Sequence, residues 1–321
     1  MFYLRHALAL LLLLTAAHSA SAQDYPNRPI RWIIPWAAGG GSDTLARMIA
    51  PEMSKRLGQP IVIENKPGAA GAIAATEVAR SAPDGYTIFS ADNGTMVYNP
   101  ALYKKLSYAT KEFAPVSMIA RSPTILVVGP GSQAKSVKEM VDFVKTQPGK
   151  ISYASAGQGS PHAMGMELLK ATLGLDMIHV PYRGGALSIQ DVAAGQVPMC
   201  MTDYSSGSGM ISTGKVRALA VASPKRMSQL PDIPTFDELG FKDIHAEAYA
   251  GIVVPAGTPA DIIAKLQKAV AESVADPSIQ KRLIDIGQEP VGGSSQQFAD
   301  VLSSDTTRWH KLIKDLNITL D

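Results

Sequence analysis

The chain has 321 residues and a formal charge of +2, and 46% of its residues are hydrophobic. The near-neutral balance, with no block of like charge and no basic stretch interleaved with aromatics, removes the electrostatic footprint that nucleic-acid binding needs. A charged fraction of 18% argues against a disordered chain, and a single cysteine, Cys200, rules out an intramolecular disulfide, so stability has to come from burial.

Arg5 and His6 precede an apolar stretch from Ala7 to Ala17, and Ala20-Ser21-Ala22 follows. This is the pattern of a secretory signal peptide over residues 1–22, with Gln23 as the first mature residue. The stretch is too short for the ~30 Å of a bilayer core. Roughly 300 remaining residues exceed the usual size of one core, so two domains are expected.

Short apolar runs then alternate with helical patterns, which predicts an α/β fold with mostly parallel sheets. The first strand is read over Arg31–Pro35. It is followed by a helix over Thr44–Leu57, with Leu45, Met48, Ile49, Met53 and Leu57 on one face. Ser42 or Asp43 is its expected N-cap and Gly58 its stop. Further strands are expected at Pro60–Glu64 and Tyr86–Ser90, around a small-residue helix from Ala69 to Arg80. The middle of the chain repeats the theme with strands at Thr124–Gly129, Ile151–Ala154, Met177–Val180, Val197–Thr202 and Val216–Ala222. Tyr249–Val254 is the last strand, and three helices close the chain. No composition-marked linker separates the halves. The chain is therefore expected to cross between domains inside ordered strands, near Arg121-Ser122-Pro123 and His245-Ala246-Glu247. That gives one discontinuous domain, 23–121 plus 248–321, and a second, 122–247.

Two glycine loops stand out, each between a strand and a helix. The first is Pro35-Trp36-Ala37-Ala38-Gly39-Gly40-Gly41-Ser42-Asp43. Its glycines let backbone approach a ligand without a β-carbon in the way, and free N–H groups at a helix start suit an anion. Pro35 and Trp36 form an apolar wall beside it. The second is Ala156-Gly157-Gln158-Gly159-Ser160-Pro161-His162. Ser160 either caps the following helix or donates to a ligand. Arg183-Gly184 offers either a carboxylate fork or a solvated turn. Asp203 either accepts from a ligand or caps the helix after it. Together they suggest a clamp for a small acid.

Catalytic and cofactor readings fail on the residues. His162 stands where a dinucleotide G-x-G-x-x-G motif needs glycine, and neither G-x-S-x-G nor a P-loop occurs. The histidines past the leader have no ligand-type partner at short spacing, so no metal is expected. An exported α/β hydrolase remains a minor alternative.

The chain resembles the tripartite tricarboxylate transporter substrate-binding proteins, also called the Bordetella uptake gene (Bug) family. The resemblance rests on Tyr25 through Ile30, Pro35 through Asp43, Val62 through Ala69, Pro83 through Tyr86, Gly159 through His162, His179 through Gly184, Leu230 through Thr235 and Pro255 through Pro259. It implies a two-domain periplasmic-binding-protein (type II, flytrap) fold and a periplasmic, monomeric receptor without cofactor. It implies delivery of an organic acid to one large and one small membrane subunit. A signalling co-receptor is the alternative within the same fold. The family's ligand positions correspond to Pro35–Asp43, Asn65, Ala156–His162, Arg183, Gly184 and Asp203. Tyr249, near a crossing strand where the family usually has tryptophan, is counted with them.

Overall fold

The computed structural model describes residues 25–320, so the expected leader over residues 1–22 lies outside the described residues. The strands are β1 (Ile30–Ile34), β2 (Ile61–Asn65), β3 (Thr87–Asp92), β4 (Phe113–Pro123), β5 (Ile125–Val128), β6 (Ser152–Ser155), β7 (Ile178–Pro181), β8 (Met199–Thr202), β9 (Arg217–Val221), β10 (Glu247–Pro255) and β11 (Glu289–Pro290). The helices are α1 (Gly41–Leu57), α2 (Ala72–Ala79), α3 (Asn99–Leu102), α4 (Val137–Lys145), α5 (Pro161–Leu173), α6 (Gly185–Ala193), α7 (Tyr204–Ser212), α8 (Ala260–Val274), α9 (Pro277–Asp285) and α10 (Ser295–Asp315).

They form an α/β molecule of two sheet layers. One sheet has the order β11-β4-β10-β3-β1-β2 and the other β7-β6-β8-β5-β9. Both sheets are mixed, where the sequence pattern predicts mostly parallel ones. β1 is parallel to β2 and β3, and β6 to β7 and β8, because helical crossovers join them. β10 is antiparallel to β3 and β4, and β5 to β8 and β9, because the chain passes between the sheets here and re-enters from the other end.

β1 is apolar apart from Arg31 because both its faces are covered. Ile30, Trp32 and Ile34 pack on one side with Leu45, Ile49 and Met53 of α1, while Ile33 packs on the other with Phe89, Ala74 and Val78.

The crossing is a backbone clasp around Thr124. Thr124 is fully buried, and both its N–H and its Oγ1 donate to the Ala246 carbonyl, at 3.0 and 2.7 Å. Ala246 N–H donates to Ala222 O at 2.9 Å, and Ala222 N–H returns to Thr124 O at 2.8 Å. Asn93 secures the next part of β10, donating to Glu247 O and accepting from Tyr249 N–H at 2.8 Å. Gly251 of β10 lets α10 approach closely. A β-carbon there would lie 2.5 Å from the Phe298 ring and 2.9 Å from Ser117 O. Gly251→Ala is therefore expected to cost about 1–3 kcal/mol through overpacking. Urea unfolding reads it, and an unchanged midpoint would contradict this packing.

Candidate functional site

The helix after the first loop starts earlier than its apolar pattern suggests. α1 begins at Gly41 with Gly40 as N-cap, and no side chain caps it. Neither Ser42 nor Asp43 is the cap, since both already lie inside the first turn. Asp43 is turned back instead. Its carboxylate accepts from Gly39 N–H at 2.8 Å and from Arg47 Nε at 3.0 Å. The Arg47 guanidinium, with the Gly39 N–H, holds the Asp43 carboxyl below the usual range although burial opposes this. Gly39 takes a φ of +81°, a turn that favours glycine. Gly39 N–H is thus used internally, while those of Gly41, Ser42 and Asp43 have no partner among the described residues.

The loop is braced from the carboxyl ends of neighbouring strands. Asn65, at the end of β2, donates to Trp36 O at 3.0 Å and accepts from Arg47 at 3.1 Å. Trp36 Nε1 donates to the Asp92 carboxylate at the end of β3, and Thr95 N–H reaches the same carboxyl at 2.8 Å. Burial pushes the Asp92 carboxyl up, against the hydrogen bonds of Thr95 and Trp36. Pro35 packs on Gly71, where a β-carbon would meet Thr95 at 2.7 Å and Pro35 at 3.1 Å. The turn leading to Gly71 holds Ala69 and Ala70 at φ of +47° and +50°, unusual for residues other than glycine. The sequence pattern starts a helix at Ala69, but this turn delays it to Ala72, and Asp92 and Thr95 were passed over. The run Asp92-Asn93-Gly94-Thr95 directly after a strand was the available signal.

The second loop leaves β6 and enters α5. Ser160 caps α5, accepting from Ala163 N–H at 3.2 Å and donating to Gly157 O at 2.7 Å. Ser155 Oγ accepts from Gly157 N–H at 3.1 Å and contacts His179 Nε2 at 2.6 Å. Gln158 and Gly159 N–H have no partner among the described residues. α6 starts at an uncapped Gly184, and Arg183 beside it is exposed, with no ion pair or hydrogen bond among the described residues.

Asp203 caps α7. Its carboxylate accepts from Ser206 N–H at 2.8 Å, Ser206 Oγ at 3.1 Å, the Ser205 hydroxyl and His162 Nε2 at 3.0 Å. Burial alone would raise this carboxyl; the His162 ring and the serine donors hold it far below the ordinary range. With these internal partners the capping role prevails over acceptance from a ligand. His162 is 5% exposed, and its Nδ1 has no partner among the described residues.

Both loops border the segment 94–102. The first reaches it through Pro35, Gly71 and Thr95. The second reaches it at Gly159, where a β-carbon would lie 3.0 Å from Leu102 and 3.4 Å from Leu320. A second contact joins the layers beside Asp203. A β-carbon on Gly287 would come within 2.3 Å of the Tyr204 β-carbon. Tyr249 is not brought to the loops. Its ring packs edge-on against Phe298 at 6.0 Å, on the α10 side of β10. Among the described residues no group of three or more His, Cys, Asp or Glu is placed to hold a metal ion.

The family described as tripartite tricarboxylate transporter family receptor matches residues 45–318. The chain belongs to this family. An R. palustris protein solved with adipate is 32% identical, with a TM-score of 0.83 over 92% of this chain and 100% of that one. The periplasmic binding protein BugD is 33% identical, with a TM-score of 0.79 over 92% of this chain and all of that one. MatC from Rhodopseudomonas palustris, solved with bound malate, is 33% identical, with a TM-score of 0.79 over 90% and 100%. The two mixed sheets are thus those of a periplasmic binding protein of the tripartite tricarboxylate receptor family, a family of receptors and not of enzymes.

In this receptor the Asp203–His162 pair sets the start of α7 against that of α5. Asp203→Ala is expected to destabilise by about 3 kcal/mol at pH 7, because it strips a buried polar group of its partner. A depressed carboxyl stabilises above its unfolded pKa and loses that contribution as pH falls, so the difference should shrink below about pH 3.9. Urea titrations at pH 7 and at acid pH test this. A loss that is equal at both, or absent at pH 7, would contradict it.

Proposed function

We propose that the chain is a periplasmic receptor for a small organic carboxylate, exported by a signal peptide cleaved near Ala22. In this reading it works as a monomer without cofactor and delivers its ligand to one large and one small membrane subunit. Two lobes, 23–121 plus 248–321 and 122–247, close on the ligand about the Thr124 clasp. The bound adipate and malate of two relatives support the ligand class.

The observation that carries the reading is the pair of open donor sets. Gly41, Ser42 and Asp43 in one layer, and Gln158 and Gly159 in the other, leave N–H groups unsatisfied at helix starts beside a shared segment. A carboxylate accepts such groups with about 1.5–3 kcal/mol each, and a helix terminus adds about 0.3–1. Three or four contacts, less the cost of closure, reach the ~8 kcal/mol of micromolar binding. Arg183, exposed and without an ion pair, supplies a further cationic group at the mouth. Pro35, Trp36, Ala37, Ala156 and Gly184 shape the walls. Asp43, Asn65, Ser160, His162 and Asp203 hold the loops in place.

Isothermal titration with malate and adipate tests the ligand class. Binding of neither, nor of other mono-, di- or tricarboxylates, would overturn it. Gly40→Val tests the first loop. Gly40 has a φ of −75°, open to any residue, and its β-carbon would meet only Ala37 O at 3.3 Å. The variant should fold with a near-native melting temperature and lose at least about tenfold in carboxylate affinity, or 1.4 kcal/mol. Unchanged affinity would remove this loop from the site.

A further inference from the structure

The second ligand loop rests on a chain of side chains that runs back into the sheet. Tyr153 and Ser155 lie two apart on β6 and share a face, and His179 of β7 stands opposite Tyr153 in the parallel register. The His179 ring lies flat on the Tyr153 ring, with centroids 4.8 Å apart and planes 5° from parallel. Tyr153 is fully buried, and its hydroxyl donates to Glu167 of α5, which Lys170 also holds at 2.8 Å. The imidazole is thereby fixed in plane, and its Nε2 meets the fully buried Ser155 Oγ at 2.6 Å.

Ser155 Oγ has one proton and two acceptors within reach. It lies 2.6 Å from His179 Nε2 and 3.2 Å from Gly157 O. Gly157 O already accepts from Ser160 Oγ at 2.7 Å and from Ser160 N–H at 3.2 Å, so its two lone pairs are occupied. A short O–H···N bond to an open acceptor outweighs a long one to a saturated carbonyl. The proton therefore belongs to the His179 bond, with Nε2 unprotonated. Burial, reinforced by Lys170 and opposed by Glu167, keeps the His179 pKa below the usual histidine range, so the ring is neutral at pH 7. Ser155 Oγ then accepts from Gly157 N–H at 3.1 Å.

We infer that His179 is a positioning residue of the carboxylate site: by taking the Ser155 hydroxyl proton, it fixes Ser155 as the acceptor that ties Gly157 N–H back and leaves Gln158 and Gly159 N–H to the ligand. This rests on the carboxylate reading above. The arrangement parallels the first loop, where Asp43 ties back Gly39 N–H and the N–H groups of Gly41, Ser42 and Asp43 stay without a partner among the described residues. Without an acceptor at His179, the Ser155 proton turns to Gly157 O and competes there with Ser160 Oγ, the cap of α5. The loop that aims the two donors then loosens. His179 touches no ligand in this account; it acts through Ser155.

Titration calorimetry with malate and adipate on His179→Phe, Ser155→Ala, their double variant and His179→Gln tests this. His179→Phe keeps a ring on Tyr153 but offers no acceptor. It and Ser155→Ala should each weaken binding at least about fivefold, or ~1 kcal/mol, and the double variant should lose no more than the more damaging single change. His179→Gln, whose amide oxygen reaches the place of Nε2, should bind within about twofold of wild type. In wild type labelled with ¹⁵N-histidine, His179 Nε2 should resonate as an unprotonated nitrogen at pH 7, and Ser155→Ala should shift it. Should His179→Phe fail to fold, this ring resonance decides. Wild-type affinity in His179→Phe, full additivity of the two losses, or a proton on Nε2 would overturn the inference and leave the carboxylate reading intact. If wild type binds no carboxylate, that reading fails first and this inference with it.

Discussion

The structure depends on a helix start that the protein leaves uncapped. α1 emerges from three glycines with no side chain satisfying its first N–H groups. A side-chain cap contributes about 1 kcal/mol to a helix, and the residues to supply it, Ser42 and Asp43, are one and two steps past the helix start. The chain forgoes that contribution and keeps the donors free. Such a departure from local preference is expected where function, and not stability, fixes the residues.

The polar side chains around the loops serve geometry. Asp43 holds Gly39, Asn65 holds Trp36, Asp92 holds both Trp36 and Thr95, and Ser160 and Asp203 cap their own helices. Each spends its hydrogen-bonding capacity on backbone or on another side chain of the protein. The N–H groups of Gly41, Ser42, Asp43, Gln158 and Gly159 are left without a partner among the described residues. Backbone donors recognise charge and shape but carry little side-chain code, which fits a family whose solved members hold acids as different in length as malate and adipate.

Much of this was legible in the sequence, and the remainder was hidden for identifiable reasons. The apolar stripe of α1, its stop at Gly58 in a left-handed turn, and Ser160 with Pro161 opening α5 follow from local chemistry that tertiary contacts do not override. β4 was missed because Pro115 and Pro123 lie within it and its polar residues break the alternation; it forms because β10 pairs along its whole length. The short helical turns over 94–102 have too few residues for a period to show. The role of Asp43 was misread because sequence shows which residue can cap a helix, not where the helix begins. Tyr249 was grouped with the loops by its place near a crossing strand, but strand alternation turns its ring toward α10, where Phe298 receives it.

The central claim is that N–H groups from both layers grip one anion at the same time. Amide ¹H–¹⁵N resonances followed during a titration with malate or adipate measure this directly. The account predicts that Gly41, Ser42 and Asp43 shift together with Gln158 and Gly159, along a single binding curve. Shifts confined to one of the two loops, or found only elsewhere in the molecule, would contradict it.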